Sequence, residues 1–414
     1  MSVYQYIGFY VFLVLGVLLL VPVIYPVGVG SSFNLVSGYF IFDSLSFYLV
    51  LLVVFLGVYT MFSVHLSLTI STKVFLFFSL LFTVLCFCSN HSILFWCFYE
   101  LSMLPLLYLI FVDSPYSERF IAGWYFSVYL LVTSLPLILI LLYFSFLNNS
   151  FYFSSWVNGS SVVYLYVVLA FIFFTKVPLC PFHTWLPIVH AEATSVVSIF
   201  LSGYIMKLGL LGVYRCCPFL FQGYFTCYLF LCCSFSIFFI ITASNELDGK
   251  RWLAFLSLSH ILVPFLSFFV CPYGTINLSF FYCLGHGLSA GLVFGFLWYF
   301  YDKTGTRNWL LLKSGISGIS SMFIVIFGLL SLCSFPTTIQ FFCEVFIVVS
   351  SSFSWVYLVF WCLYLFFGGL IPLVLCGHLL VRCDSCEYNS VLNYSYTFYF
   401  LYIILWCYLG IIFL

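Results

Sequence analysis

The chain's 414 residues include 11 basic and 11 acidic side chains, so the formal net charge is zero; 5% of residues are charged and 65% hydrophobic. A soluble domain carries roughly 25% charged and about 45–50% apolar residues, so this chain cannot clothe a water-facing surface and the bilayer must be its solvent. The balance excludes a basic patch for nucleic acid and an acidic face for a cationic partner. The 18 cysteines sit mostly singly in apolar runs, as at Cys86, Cys180 and Cys283, where cysteine acts as a small hydrophobe. The only C-x-x-C pair is Cys383 and Cys386, and a structural zinc site would want a second pair.

In chain order, the first apolar run, Tyr6 to Ile24, has no basic n-region and no small-residue cleavage site, so it is expected to stay as a helix rather than act as a cleaved signal. The same run lacks the Arg- and Ser-rich composition of a transit peptide, so none is expected. The 56 phenylalanines and 32 tyrosines would resist import through a membrane, which points to synthesis beside the target membrane, in a mitochondrion or a bacterium. A transmembrane helix needs about 20 mainly apolar residues. Runs of that kind predict about thirteen helices, at 6–24, 40–64, 74–89, 92–112, 120–147, 161–190, 194–215, 223–243, 253–271, 277–300, 316–349, 355–381 and 395–414. The expectation is an all-α, polytopic membrane protein forming a single membrane domain over 1–414. Alternating directions put Lys73, Arg119, Lys250, Arg251, Lys303, Arg307, Lys313 and Arg382 on one side and only Arg215 on the other, a strong positive-inside asymmetry.

Two spans carry breaks. The run 161–190 holds Pro178, Pro181 and Pro187 just after Lys176, and the run 316–349 holds Pro336. Proline removes a backbone donor and clashes with the preceding turn, and the freed carbonyls must find protein or water. Interrupted helices in corresponding positions point to an inverted repeat. Each is the fourth helix of a five-helix unit, 74–215 and 223–381, flanked by N-terminal helices in 1–73 and a C-terminal helix at 395–414. An odd helix count makes the two units inverted relative to each other.

Centring an ionisable group in a bilayer costs at least about 2.5–3.5 kcal/mol, so such groups face a cavity or a partner. Glu100 falls mid-span in Phe98-Tyr99-Glu100-Leu101-Ser102, Lys176 at the first break, Lys207 mid-span in an unbroken run, His260 and His286 inside their spans, and Glu344 about two turns after the second break. Burial disfavours a charged form and brings such groups toward the point where a proton is gained or lost. The plainer reading is a set of static ion pairs between helices, which a single Lys–Glu pair would fit equally well. Several groups spread over both repeats, two of them at breaks, favour a buried proton relay. His183 and His190, seven residues apart with Glu192 nearby, fit a metal site, a water-linked polar path or plain structural bonding. His65, His91 and His378 lie near span ends and read as interfacial. Glu118–Arg119, Asp248–Lys250 and Asp302–Lys303 read as loop charges whose surface pairing is worth at most about 1 kcal/mol. Trp124 and Trp298 read as interface anchors, and Asp43 as a helix cap.

At these residues the chain resembles the antiporter-like, proton-pumping subunits of the membrane arm of respiratory complex I, and among them the chain 4 family. The resemblance runs in order through DSLS at 43–46, YELSMLP at 99–105, ERFIAGWYF at 118–126, SLPL at 134–137, TKVPLCPFHTWLPIVHAEA at 175–193, MKLGLLGVYR at 206–215, SLSH at 257–260 and GHGLSAGL at 285–292, and ends on Phe335-Pro336 and Glu344. It implies that Glu100 is the input-side glutamate, Lys176 its modulating partner, Lys207 the central lysine, His286 a member of the connecting path and Glu344 the output-side glutamate. Glutamate rather than lysine after the second break is what implies chain 4. The chain departs from the family pattern at Ile188, where lysine is frequent, at Thr194, where proline is frequent, and before Asp248, which lacks an arginine. It also shows one N-terminal helix fewer than the family usually has.

The resemblance implies partners among the other complex I subunits in the mitochondrial inner membrane, with NADH, FMN, the iron–sulfur clusters and ubiquinone held by those partners. No Rossmann fingerprint, iron–sulfur cysteine set or haem motif is legible in this chain. A subunit of a multisubunit cation/proton antiporter shares the fold and the lysines, and a purely structural membrane subunit is the reading of another class.

Overall fold

The computed structural model describes residues 35–63, 68–156, 163–217, 220, 225–272, 275–316, 319–380 and 394–413. The expected first span at 6–24, together with His65, Arg382, Cys383 and Cys386, lies outside the described residues. The other twelve expected spans are all found as helical segments. They are α1 (Ser44–Ser63), α2 (Ile70–Cys88), α3 (Ser92–Asp113), α4 (Arg119–Leu147), the broken pair α5 (Val163–Lys176) and α6 (Trp185–Glu192), α7 (Ser195–Cys216), α8 (Thr226–Asn245), α9 (Gly249–Val270), α10 (Asn277–Thr304), the broken pair α11 (Ile319–Leu332) and α12 (Ile339–Ser351), α13 (Trp355–Leu380) and α14 (Tyr394–Leu409). Eight of them are each long and apolar enough to cross a membrane unaided. A short antiparallel pairing of Leu35–Val36 with Ile41–Phe42 interrupts the all-α pattern.

Several edges differ from expectation for local reasons. Helix α2 begins at Ile70 rather than at 74, because the Thr69 hydroxyl accepts from the Thr72 amide and caps it, satisfying one of the orphan donors of a first turn. Asp248 caps α9 in the same way through the Lys250 amide, which draws Lys250 and Arg251 into the helix. At the first break the chain leaves the helix after Lys176 and re-enters at Trp185, with the Trp185 indole donating across the gap to Thr175 O at 3.0 Å. Pro187 then falls in the first turn of α6, where its missing N–H would have had no intrahelical partner. At the second break α11 ends at Leu332 and Thr338 caps α12. Three helices, a broken helix and a further helix thus occur twice, over α2–α7 and α8–α13.

The packing puts these helices in layers. The apolar windows of α7 and α10 are 100% buried and that of α9 83%, whereas α2, α3, α4, α8 and α13 bury 33–39% of theirs. Outward faces carry Phe146, Ile319 and Trp355, each more than 70% exposed, an apolar surface that only lipid or a partner subunit can cover. The two ends of the bundle are distinct. At one end Lys250 donates to Ala193 O, Arg307 bonds Ala191 O, and Arg119 donates to Ser114 O. At the other, Arg215 donates to Ser89 O and Phe87 O and pairs with Asp43 at 3.4 Å. Arg215 therefore lies opposite Lys250, as the loop charges predict. Asp43 does cap α1, accepting from the Ser46 amide at 2.9 Å, and ties that helix to α7 as well.

Candidate functional site

The buried charges begin where the backbone changes pitch. Helix α4 passes through a π-helical turn at Val128–Val132 and α7 through another at Leu201–Ile205. A π turn shifts the bonding register and frees a carbonyl. Inside a membrane that carbonyl needs a donor, and in both helices a lysine supplies it. The Lys176 amine donates to Leu130 O at 2.9 Å, and the Lys207 amine donates to Ser202 O. Both amines are 0% exposed. Lys176 also lies 3.8 Å from the Glu100 carboxylate and 4.4 Å from the centre of the Tyr99 ring. Glycine places α7 against the break: a Cβ at Gly209 would stand 2.6 Å from Val177 and 3.4 Å from the Lys176 carbonyl carbon.

Toward the second repeat the groups change to imidazoles, hydroxyls and a carboxylate. His260 on α9 and His286 on α10 bring their rings to 5.3 Å, and Lys207 lies within electrostatic reach of both and of His190. The His260 Nδ1 is 2.6 Å from the Tyr364 hydroxyl and 3.2 Å from the Tyr282 hydroxyl. Tyr282 donates to Glu344 Oε1 at 3.1 Å. Glu344 is buried, and Tyr282 bridges it to His260. Neither ring nitrogen of His286 has a hydrogen-bond partner among the described residues. Gly285 allows α10 to meet the start of α12, where its Cβ would sit 3.0 Å from Ile339 and 3.1 Å from Gln340. Tyr282 and Tyr364 gave no signal in the sequence, because tyrosine abounds at 32 residues and nothing marks one as relay and another as packing.

His183 and His190 do not converge. His183 precedes α6 and faces Phe239 at 4.6 Å, while His190 stacks on Phe294 at 4.9 Å. Among the described residues no group of three His, Cys, Asp or Glu could hold a metal ion. Glu192 is buried at the end of α6, and its main-chain oxygen accepts from Ser114.

The reading of Lys250 as a loop charge is overturned, since it lies in the first turn of α9. Lys250 is 2% exposed, and Asp248 pairs instead with Arg307 at 3.6 Å. Lys250, Ser114 and Arg307 cap three successive carbonyls at the end of α6, those of Ala193, Glu192 and Ala191. Cations suit the negative end of a helix dipole. The Tyr116 ring lies between them, 4.8 Å from the Lys250 amine and 4.1 Å from the Arg307 guanidinium. Burial pushes the Tyr116 hydroxyl up and Arg307 pulls it back. This clasp ties the second half of the first broken helix to the second repeat.

A multi-pass helical bundle with two broken helices and a buried row of ionisable groups is an antiporter-like membrane subunit. The chain belongs to the NADH:quinone oxidoreductase/Mrp antiporter transmembrane family, whose model matches residues 89–371. Among similar proteins, the NADH-ubiquinone oxidoreductase chain 4 of Locusta migratoria is 33% identical over 252 residues, 58% of this chain and 55% of the relative. The chain 4 of Rhipicephalus sanguineus is 28% identical over 325 residues, 75% of this chain and 72% of the relative. Chain 4 relatives thus match over roughly half to three-quarters of their own length. In fold, the chain matches a chain of respiratory complex I from Thermus thermophilus with bound NADH at a TM-score of 0.78, with 19% identity, covering 98% of this chain and 90% of that one. It matches a chain of the Mrp complex from Dietzia sp. DQ12-45-1b at 0.70, with 15% identity, covering 91% and 74%.

Proposed function

We propose that this chain is a proton-translocating subunit of the membrane arm of respiratory complex I in the mitochondrial inner membrane, acting beside other antiporter-like subunits. NADH oxidation and ubiquinone reduction take place in partner subunits, which hold the flavin, the clusters and the quinone. The observation that carries the reading is Lys207. It is an amine with no solvent exposure, on one of the two fully enclosed helices, bonded to a carbonyl of a π turn rather than to a carboxylate. A buried charge kept for stability would have a counter-ion; one that exchanges a proton needs a changeable environment. Glu100 and Lys176 then form the input pair, His260 and His286 the connection and Glu344 the output. His183, His190 and Glu192 are auxiliary to this row. Moving one charge against about 100 mV takes about 2.3 kcal/mol, or about two pKa units, within the range that a shift in neighbouring charge supplies. The conservative Lys207→Met should cut proton pumping per NADH oxidised by more than about tenfold while the complex still assembles. Lys207→Arg should also impair it, since arginine keeps its proton. Normal pumping with methionine would remove Lys207 from the relay.

The fold shared with the Mrp complex favours one second reading, a subunit of a multisubunit cation/proton antiporter. Sodium-coupled proton movement without NADH oxidation would select it; the run of chain 4 relatives favours the first reading.

A further inference from the structure

We propose that two tyrosine hydroxyls, Tyr282 on α10 and Tyr364 on α13, are the proton-conducting link between His260 and Glu344, with Tyr282 the last step onto the carboxylate. The proposal rests on Glu344 being a member of the relay. The four groups form a connected set, with His260 Nδ1 to Tyr364 at 2.6 Å, Tyr364 to Tyr282 at 3.4 Å and Tyr282 to Glu344 at 3.1 Å. A direct leg from His260 Nδ1 to Tyr282 measures 3.2 Å. All four side chains are at most 3% exposed, so these contacts stand apart from bulk water. They also come from four different helices, α9, α10, α12 and α13, so the link spans the second repeat.

The geometry allows two arrangements that differ only in hydroxyl rotation and in the proton on His260. In one, Nδ1 carries no proton, Tyr364 donates to it, and Tyr282 donates to Glu344. In the other, Nδ1–H donates to Tyr364, Tyr364 to Tyr282 and Tyr282 to Glu344, a chain aligned from imidazole to carboxylate. Transfer along the second arrangement starts from His260 protonated on both ring nitrogens, breaks the Nδ1–H bond, passes one proton through each hydroxyl, forms one O–H bond on Glu344 and leaves a neutral imidazole. Each tyrosine gives a proton as it takes one and ends neutral, so no buried tyrosinate is made. Tyr364 then donates to Nδ1 as in the first arrangement, and departure of the proton from Glu344 with rotation of the Tyr282 hydroxyl restores the rest of it. His286, whose ring nitrogens have no partner among the described residues, lies beside this path and not on it.

Phenylalanine deletes each hydroxyl and keeps the ring. In the assembled complex reconstituted in liposomes, Tyr282→Phe should slow NADH-driven proton pumping by about tenfold, the factor that a hydrogen bond of about 1.4 kcal/mol represents. Tyr364→Phe should slow it by about two- to threefold, because the direct leg remains. Tyr282→Leu, which also removes the ring, should pump no worse than Tyr282→Phe. A complex with Tyr282→Phe that pumps normally, while the leucine variant fails, would make Tyr282 a packing residue and overturn the proposal. If Tyr282→Phe does not assemble, Tyr364→Phe decides, since it leaves the Tyr282–Glu344 bond intact: an unchanged rate overturns the link. Glu344→Gln separates the two readings. Impaired pumping there with normal pumping in Tyr282→Phe rejects the tyrosine link alone, and normal pumping in Glu344→Gln rejects the relay beneath it.

Discussion

The two repeats share a scaffold and differ in the chemistry mounted on it. Around the first break, both buried amines bond main-chain oxygens of π turns, and one of them also faces a carboxylate at 3.8 Å. Around the second, a buried carboxylate is held by a tyrosine hydroxyl, and among the described residues it has no ion-pair partner. The helix order is the same, and so is the use of glycine to seat an enclosed helix on the break, Gly209 in one half and Gly285 in the other. The scaffold fixes where an ionisable group sits, while local backbone register and a single side chain fix its sign. The buried groups thus include two amines beside the first break and a lone carboxylate beside the second.

That contrast breaks most visibly if one member of the first pair is removed. Lys176→Met should orphan Glu100 and cost about 3–5 kcal/mol, read as loss of assembled complex. Adding Glu100→Gln should restore assembly without restoring pumping. Glu344→Gln should leave assembly near normal, because no cation is orphaned; equal losses in both halves would show that the halves do not differ in this way. Next in size is the clasp at the end of α6. Lys250→Met leaves the Ala193 carbonyl without its charged donor, for about 1.5–3 kcal/mol, measured as a lower thermal-inactivation temperature of the complex. Gly209→Ala should follow at about 1–3 kcal/mol through overpacking against Val177. The same change at Gly285 should cost less, since its nearest atoms stand at 3.0 Å rather than 2.6 Å. The smallest effect belongs to exposed Asp302, where Asp302→Asn should stay within about 0.5 kcal/mol and leave pumping unchanged.

Much of this was legible in the sequence. The apolar runs located α1 to α14, since a bilayer accepts only segments that satisfy their own backbone, and missed only short turns such as Trp309–Leu312. Prolines marked both breaks, and their chemistry is local. The scarcity of charge made Glu100, Lys176, Lys207 and Glu344 stand out, because each charge in an apolar span carries a penalty that sequence alone reveals. Three things waited for tertiary structure. The π turns left no mark in Val128–Val132 or Leu201–Ile205, where the residues suit an α-helix equally well. Lys250 read as a loop charge because its loop-like neighbours Asp248 and Gly249 hide that it turns inward to cap α6. Tyr282 and Tyr364 looked like any other tyrosine, and only the packing of four helices put their hydroxyls between His260 and Glu344. Composition and local pattern determine which segments enter the membrane and which charges go with them. Which of those groups touch depends on how the helices pack, and that is a property of residues far apart in the chain.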